Sequence, residues 1–184
     1  MCRMLCKTLF LFVFCLSFCC TVFAAPAHKV CVDVCAMSGY DSPDVGDDKW
    51  YSDVYGMLAE ELNANGVLTE HSKDVWAEFV NGLRKGKGPV YIDEKKGKTA
   101  HKMFADFRKD RFDHILKFKT DRYVTYGDLG TSDIAVTLTV LKADDVDGAP
   151  LAVYKDSRID MKASERDEVF KGMIKSIVDR YVNG

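Results

Sequence analysis

Ile134, Val136, Leu138 and Val140 alternate with Ala135, Thr137 and Thr139, the period of a strand with one face buried. Residues 112–126 and 150–161 read as strands on either side of it. Asp147-Gly148 lies in the second connection, where a hairpin needs residues that tolerate positive φ. The pattern predicts a three-strand antiparallel meander. Directly after it, Phe170, Met173, Ile174, Ile177, Val178 and Tyr181 form one stripe at helical spacing. A long amphipathic helix is therefore expected to lie on the meander. Ser164, with Asp167 three residues on, predicts a capping box at its start. Asp167–Lys171 and Lys175–Asp179 place opposite charges at i, i+4 on its outer side.

Upstream, Val30, Val32 and Val34 alternate with Cys31, Asp33 and Cys35 in an opening strand over residues 29–37. Helical spacing of Tyr51, Val54, Tyr55, Leu58 and Leu62 predicts a helix over 49–63, closed by Asn65-Gly66. A second helix opens at Ser72, with Val75, Trp76, Phe79, Val80 and Leu83 on one face. Residues 89–93 suffice for a short strand only, and Ala100, Met103, Phe104 and Phe107 mark a short helix. The expected order is βααβαβββα. That order makes a single α/β domain of α+β character over residues 25–184, one mixed sheet with helices in two or three layers. No repeat, low-complexity tract or linker divides it.

The first 24 residues stand outside that pattern. Arg3 and Lys7 precede an apolar run from Leu9 to Phe23, and Val22-Phe23-Ala24 offers small residues at the −3 and −1 positions before Ala25. This is the anatomy of a secretory signal peptide. The run is about fifteen residues, short of the ~20 a bilayer needs, so the mature chain is expected to be exported without a membrane span. Lipid attachment at Cys19 is a lesser alternative, because Phe18 is bulky for a lipidation site. Cleavage would remove two positive charges and no acid, taking the formal charge from −2 to −4. Such a balance exerts no overall pull on nucleic acid. The composition, 47% apolar and 29% charged, excludes wholesale disorder.

Five of the seven cysteines fall in that leader, which leaves Cys31 and Cys35. On one side of a strand they lie ~13 Å apart. A disulfide needs Cα atoms within about 7 Å, so the two are expected not to pair with each other.

The sequence carries no recognisable pattern of a catalytic residue, metal site or cofactor site. Asp41, Asp44, Asp47 and Asp48 crowd one loop but lack the order and the closing Glu of a calcium loop. Gly97-Lys98-Thr99 is half of a phosphate-binding loop, with Ile92 where the first glycine should be. His28, His71, His101 and His114 are scattered and none has ligand spacing to another. His114 shares parity with Leu116 and Phe118, which suits a histidine held by a hydrogen bond at a strand end. Neither a G-x-S-x-G elbow nor G-x-G-x-x-G is present. Seven Lys or Arg between Arg84 and Lys102 form a basic stretch that could touch anionic lipid or wall polymer.

What remains is a surface. With Leu116, Phe118, Ile134, Val136, Leu138, Val140, Leu151 and Val153 facing the helices, the other face would carry Lys117, Lys119, Thr137, Thr139 and Tyr154. Asp33, Cys31 and Cys35 would join them. Its edge strands could also accept a partner strand.

Several stretches together resemble a family of small exported bacterial α/β domains. They are Lys29-Val-Cys-Val-Asp-Val, Gly46…Trp50, Leu58-Ala-Glu-Glu-Leu-Asn-Ala-Asn-Gly, Phe112-Asp-His-Ile-Leu-Lys-Phe, Ser132-Asp-Ile-Ala-Val-Thr-Leu-Thr-Val-Leu-Lys-Ala-Asp and the Asp147-Gly148 turn. The family includes the N-terminal domain of the Tol-system translocation protein and the periplasmic domain of the curli-secretion lipoprotein. One departure is that this family has a strand after its first helix, where Gly66-Val-Leu-Thr-Glu is short and polar. The resemblance implies an envelope binding or assembly role without catalysis, and no functional residue carries over. The expected function is therefore an exported, non-enzymatic protein that binds an envelope protein or a wall or lipid component. The alternative is a small secreted hydrolase or solute-binding protein with its site in loop 38–48.

Overall fold

The computed structural model describes residues 28–36, 48–86, 94–144 and 148–184. In chain order the elements are β1 (Lys29–Ala36), α1 (Asp48–Ala64), β2 (Leu68–His71), α2 (Ser72–Gly86), α3 (Glu94–Lys109), β3 (His114–Tyr126), β4 (Thr131–Lys142), β5 (Ala152–Lys162) and α4 (Arg166–Asn183). The strands form one mixed sheet in the order β2-β1-β3-β4-β5. Strands β2, β1 and β3 run parallel, and β3, β4 and β5 form the antiparallel meander. The class is α+β, with four helices packed on the sheet.

After α1 the chain departs from the pattern expected of its sequence. Leu68–His71 forms a strand parallel to β1, in register from Lys29 opposite Leu68 to Val32 opposite His71. It lies at the sheet edge, and its Leu68 is half exposed, so no buried alternation announces it. The pairing is arranged by the end of α1. Val67 N–H donates to Leu62 C=O and Gly66 N–H to Asn63 C=O, each at 3.0 Å, while Gly66 sits at φ 78°. This is a Schellman turn, with Val67 packed in the same cluster as Leu62. The strand expected over residues 89–93 lies outside the described residues, as do the leader and residues 37–47. Gly97-Lys98-Thr99 falls inside α3, where the backbone is helical and not the open loop a phosphate needs.

Both sheet faces are packed, in different ways. Strict alternation puts Val30, Val32, Leu116, Phe118, Ile134, Val136, Leu138 and Val140 on one face. They meet Val54, Leu58 and Leu62 of α1 and Phe170, Met173, Ile174, Ile177 and Val178 of α4. Each such side chain contributes about 1.5–3 kcal/mol by leaving water. On the second face Cys31, Ile115, Leu141 and Ala143 are covered by Val75 and Phe79 of α2 and Phe104 of α3, with Phe112. These cover only the amino end of β1 and β3. The other half of that face carries no helix among the described residues.

The start of α4 also differs from expectation. A short 3₁₀ turn, Ala163–Glu165, precedes it, and the cap residue Glu165 makes no side-chain bond to the helix. Asp167 is engaged elsewhere: it accepts from the Tyr123 hydroxyl at 2.8 Å and from Arg166 Nε at 3.0 Å. Those two bonds hold its carboxyl below the usual range, against a smaller effect of burial.

Two irregularities shape the meander. Asp121 is the extra residue between Thr120 and Arg122 in the β3–β4 pairing. A second break faces Asp133, where Asp160 of β5 adopts φ 53° and donates its backbone N–H to Asp133 Oδ1 at 3.0 Å. The middle of the outer edge of β5 is engaged by side chains. Arg180 Nη2 donates to Lys155 C=O at 3.1 Å, Ser157 N–H donates to Asp156 Oδ1 at 2.8 Å, and Arg158 Nη1 donates to Ser157 C=O at 2.9 Å. A partner strand would have to displace all three bonds, so this edge is poorly suited to strand addition.

Candidate partner surface

Strand register assembles the uncovered half-face in two rows. The first runs Cys35–Lys119–Thr137–Lys155 across β1, β3, β4 and β5, and the second runs Asp33–Lys117–Thr139–Val153. Because side chains alternate with a period of two, residues paired across strands share a face. Four of the expected residues, Lys117, Lys119, Thr137 and Thr139, therefore come together, with Cys35 beside them. They line an open depression of about 790 Å³.

Its charges are partly neutralised. The bulged Asp121 accepts from Thr137 Oγ1 at 2.5 Å and pairs with Lys119 Nζ at 2.9 Å. Burial alone would raise the Asp121 carboxyl, but these two bonds outweigh it and hold the group below its ordinary value. Lys117 and Lys155 make no salt bridge among the described residues, and with Asp156 on the lining bound to Arg158, the lysines of the depression outnumber its carboxylates. The Cys35 thiol, half-buried at its rim, is pushed up by burial and by Asp33, with Lys117 and Lys119 pulling the other way. It is not a ready nucleophile.

Tyr154 is not on this surface. Leu138 pairs with Tyr154 and Val140 with Ala152, so parity turns Tyr154 toward α4, where Arg180 lies over its ring at 6.0 Å. Val153 and Leu151, expected inside, are instead 46% and 49% exposed. A tyrosine supplies more apolar body to a partly wet margin than either aliphatic residue does. Cys31 is also absent from the surface, buried under α2 and α3. Its thiol is pushed up to about 12, chiefly by burial. Both cysteines are free. Lys155 and Asp121 were missed. The parity of β5 and the position of the bulge depend on pairing partners that no local pattern encodes.

Asp33 has been drawn to another place. The Ser72 hydroxyl donates to Asp33 Oδ1 at 2.9 Å, tying the start of α2 to β1. Asp33 thereby faces a crevice of about 560 Å³ shared with Tyr51, Tyr55, His71 and Ser72. The crevice lies at the carboxyl ends of β1 and β2, where the chain leaves toward opposite faces, the usual ligand position of a wound sheet. Burial lowers His71, with Asp74 and Asp33 opposing, which leaves its imidazole neutral near pH 7. Asp41, Asp44 and Asp47 lie outside the described residues. Of the basic stretch from Arg84 to Lys102, only the Lys102 side chain is among them.

Among the described residues there is no cluster of three metal-ligating side chains, and no helix is long and apolar enough to cross a membrane. No protein-family model and no curated protein matches the chain. Solved structures do. An L103M PelC dodecamer from Paraburkholderia phytofirmans is 14% identical over 83% of this chain and 84% of its own, with a TM-score of 0.51. Lipoprotein GNA1162 from Neisseria meningitidis is 14% identical over 86% of this chain and 99% of its own, with a TM-score of 0.44. A minor lipoprotein from Acinetobacter baumannii is 11% identical over 85% and 91%, at 0.34. At such identities the PelC likeness concerns the arrangement of sheet and helices alone. None of these three is a Tol- or curli-system domain.

Proposed function

We propose that this chain is an exported, non-enzymatic envelope protein that docks an acidic surface of another envelope protein on the uncovered half of its sheet. The observation that carries this reading is the pair of rows in which Lys117 and Lys155, which make no salt bridge among the described residues, flank Thr137 and Thr139. Lysine supplies a strongly hydrated charge on a flexible stem, suited to loose electrostatic docking and fast encounter. The leader of residues 1–24 supports export. PelC is named a dodecamer, so self-association enters as one outcome of the test.

A photo-crosslinking residue at Thr137 in intact cells, with fractionation of the same cells, provides that test. The expected result is an envelope-fraction adduct that disappears when Lys117 and Lys155 are both changed to Glu and is absent with the probe at Lys175 of α4. An adduct to lipid, to wall polymer or to a second copy would replace the partner named here. No adduct at Thr137, or one indifferent to charge reversal, would remove the docking reading.

The crevice at Asp33 favours a second reading, a solute-binding site. Titration of the protein with pooled small solutes from the same envelope fraction should then shift the amide resonances of Tyr51, Tyr55 and His71 and leave those of Thr137 and Thr139 in place. Unmoved resonances at saturating solute would dismiss it.

A further inference from the structure

At the end of the sheet away from the lysine rows, four titratable groups form one hydrogen-bonded string. Asp113 Oδ2, in the turn before β3, accepts the Lys29 backbone N–H at 2.8 Å and lies 3.0 Å from His28 Nδ1. His28 Nε2 is 2.7 Å from the Tyr181 hydroxyl in the last turn of α4, and His114 Nδ1 of β3 is 3.0 Å from the same oxygen. The two imidazole rings stand edge to face with centroids 4.9 Å apart. No spacing in the sequence joins the two histidines to Tyr181, since His28 lies just before β1, His114 opens β3 and Tyr181 belongs to α4.

The protons on this string can be counted. Asp113 accepts, so His28 carries a proton on Nδ1 and its neutral Nε2 accepts the Tyr181 O–H. His114 must then donate Nδ1–H to the Tyr181 oxygen, and every group has a partner. One added proton is tolerated. On His114 it enters at Nε2, outside the string. On His28 it reverses the direction, with Tyr181 then donating to His114 Nδ1 in its other tautomer. A second proton is not tolerated. Two imidazolium N–H groups would point at one hydroxyl whose own proton has lost its acceptor, and two like charges would stand in ring contact.

We propose that this string is an acid-sensitive latch: it holds the last turn of α4 against the first residues of β1 with no proton or one on the histidine pair, and opens when the second arrives. The surroundings supply little compensating negative charge. Asp113 is the carboxylate within the string, and Asp144 shares the shallow depression outside it with Lys109, Lys142 and His114. Lys142 of β4 is the register partner of His114, Lys29 of β1 is paired with Glu70 of β2, and β5 contributes the neutral Tyr154. Arg180 neighbours Tyr181 on α4 and is engaged with β5. Burial, and after it the proximity of His28, lowers His114, with Asp113 opposing. A group whose folded-state value is lowered binds its proton more readily in the unfolded chain. The latch therefore contributes stability above the ordinary histidine value of about 6.5 and loses it as pH falls below.

Amide hydrogen exchange, corrected for the intrinsic effect of pH, tests the latch. Between pH 7.5 and pH 5.0 the amides of residues 178–183 should lose protection by about tenfold or more, about 1.4 kcal/mol of local opening free energy. Those of Leu116 and Phe118 should keep theirs. Tyr181→Phe retains the ring and loses the shared oxygen. Its amides 178–183 should already be less protected at pH 7.5 and show no further step at pH 5.0. His28→Gln, which removes one titrating ring, should likewise abolish the step. Unchanged protection of 178–183 in the unmodified protein, or an undiminished step in Tyr181→Phe, would overturn the proposal.

Discussion

Phe118→Ala should remove about 3–5 kcal/mol of stability, the range for deleting a buried aromatic ring and leaving its cavity. Phe118 is fully buried on β3, the middle strand of five, and its ring meets Phe170 of α4 edge to face at 6.4 Å. Neighbours on both sides of β3 are fixed by strand pairing, so the site has little freedom to collapse. Domains are stable by only about 5–15 kcal/mol in total, so this one change should bring the variant close to unfolding at ambient temperature. Urea denaturation should show a much lower midpoint with an unchanged slope. A loss under about 1 kcal/mol would mean that β3 and α4 do not share a tightly packed core.

The second large effect is expected at Asp133, a carboxylate only 7% exposed at the break between β4 and β5. It accepts from Arg122 Nη1 at 3.1 Å, from the Tyr126 hydroxyl at 3.3 Å and from the backbone N–H of Asp160 at 3.0 Å. Asp133→Ala leaves that N–H without its acceptor and should cost about 1.5–3 kcal/mol, the usual worth of hydrogen bonds to a charged group. Asp133→Asn keeps an oxygen for Asp160 and should recover more than half. A second readout is the Tyr126 hydroxyl, held above its ordinary value first of all by the Asp133 charge. An absorbance titration should find it moving down toward that value in both variants. An alanine variant as stable as the parent would show that the break needs no carboxylate.

Strong periodicity in the chain translated directly into structure. The meander, the stripe from Phe170 to Tyr181 and the helix around Leu58 all form, because each buries one face and the period names that face. Leu68–His71 escaped notice because an edge strand of four residues needs no alternation, only a parallel neighbour to bond. The inversion of Tyr154 with Val153 had a different origin. Apolar character at Leu151 and Val153 points to burial, whereas the register with Leu138 decides which side of β5 turns inward. Ser164 and Asp167 carry a capping signal that tertiary contact overrode, since Tyr123 claimed the carboxylate. For the candidate surface, Lys117, Lys119, Thr137 and Thr139 were legible from strand parity alone. Asp33 was diverted by a serine 39 positions away. His28 and His114 meet only because β1 and β3 are neighbours, a fact that resides in the topology.

The side chains laid along the rim of β5 have a consequence for how copies of this protein can coexist when crowded. With Arg180, Asp156 and Arg158 answering peptide groups of Lys155 and Ser157 in the middle of β5, and only four residues at the far margin in β2, the sheet offers poor templates for endless stacking into fibres. Any multimer it builds should therefore be finite, joined by side chains and dissolved by salt or substitution, and free of ribbons continuing from one molecule into the next.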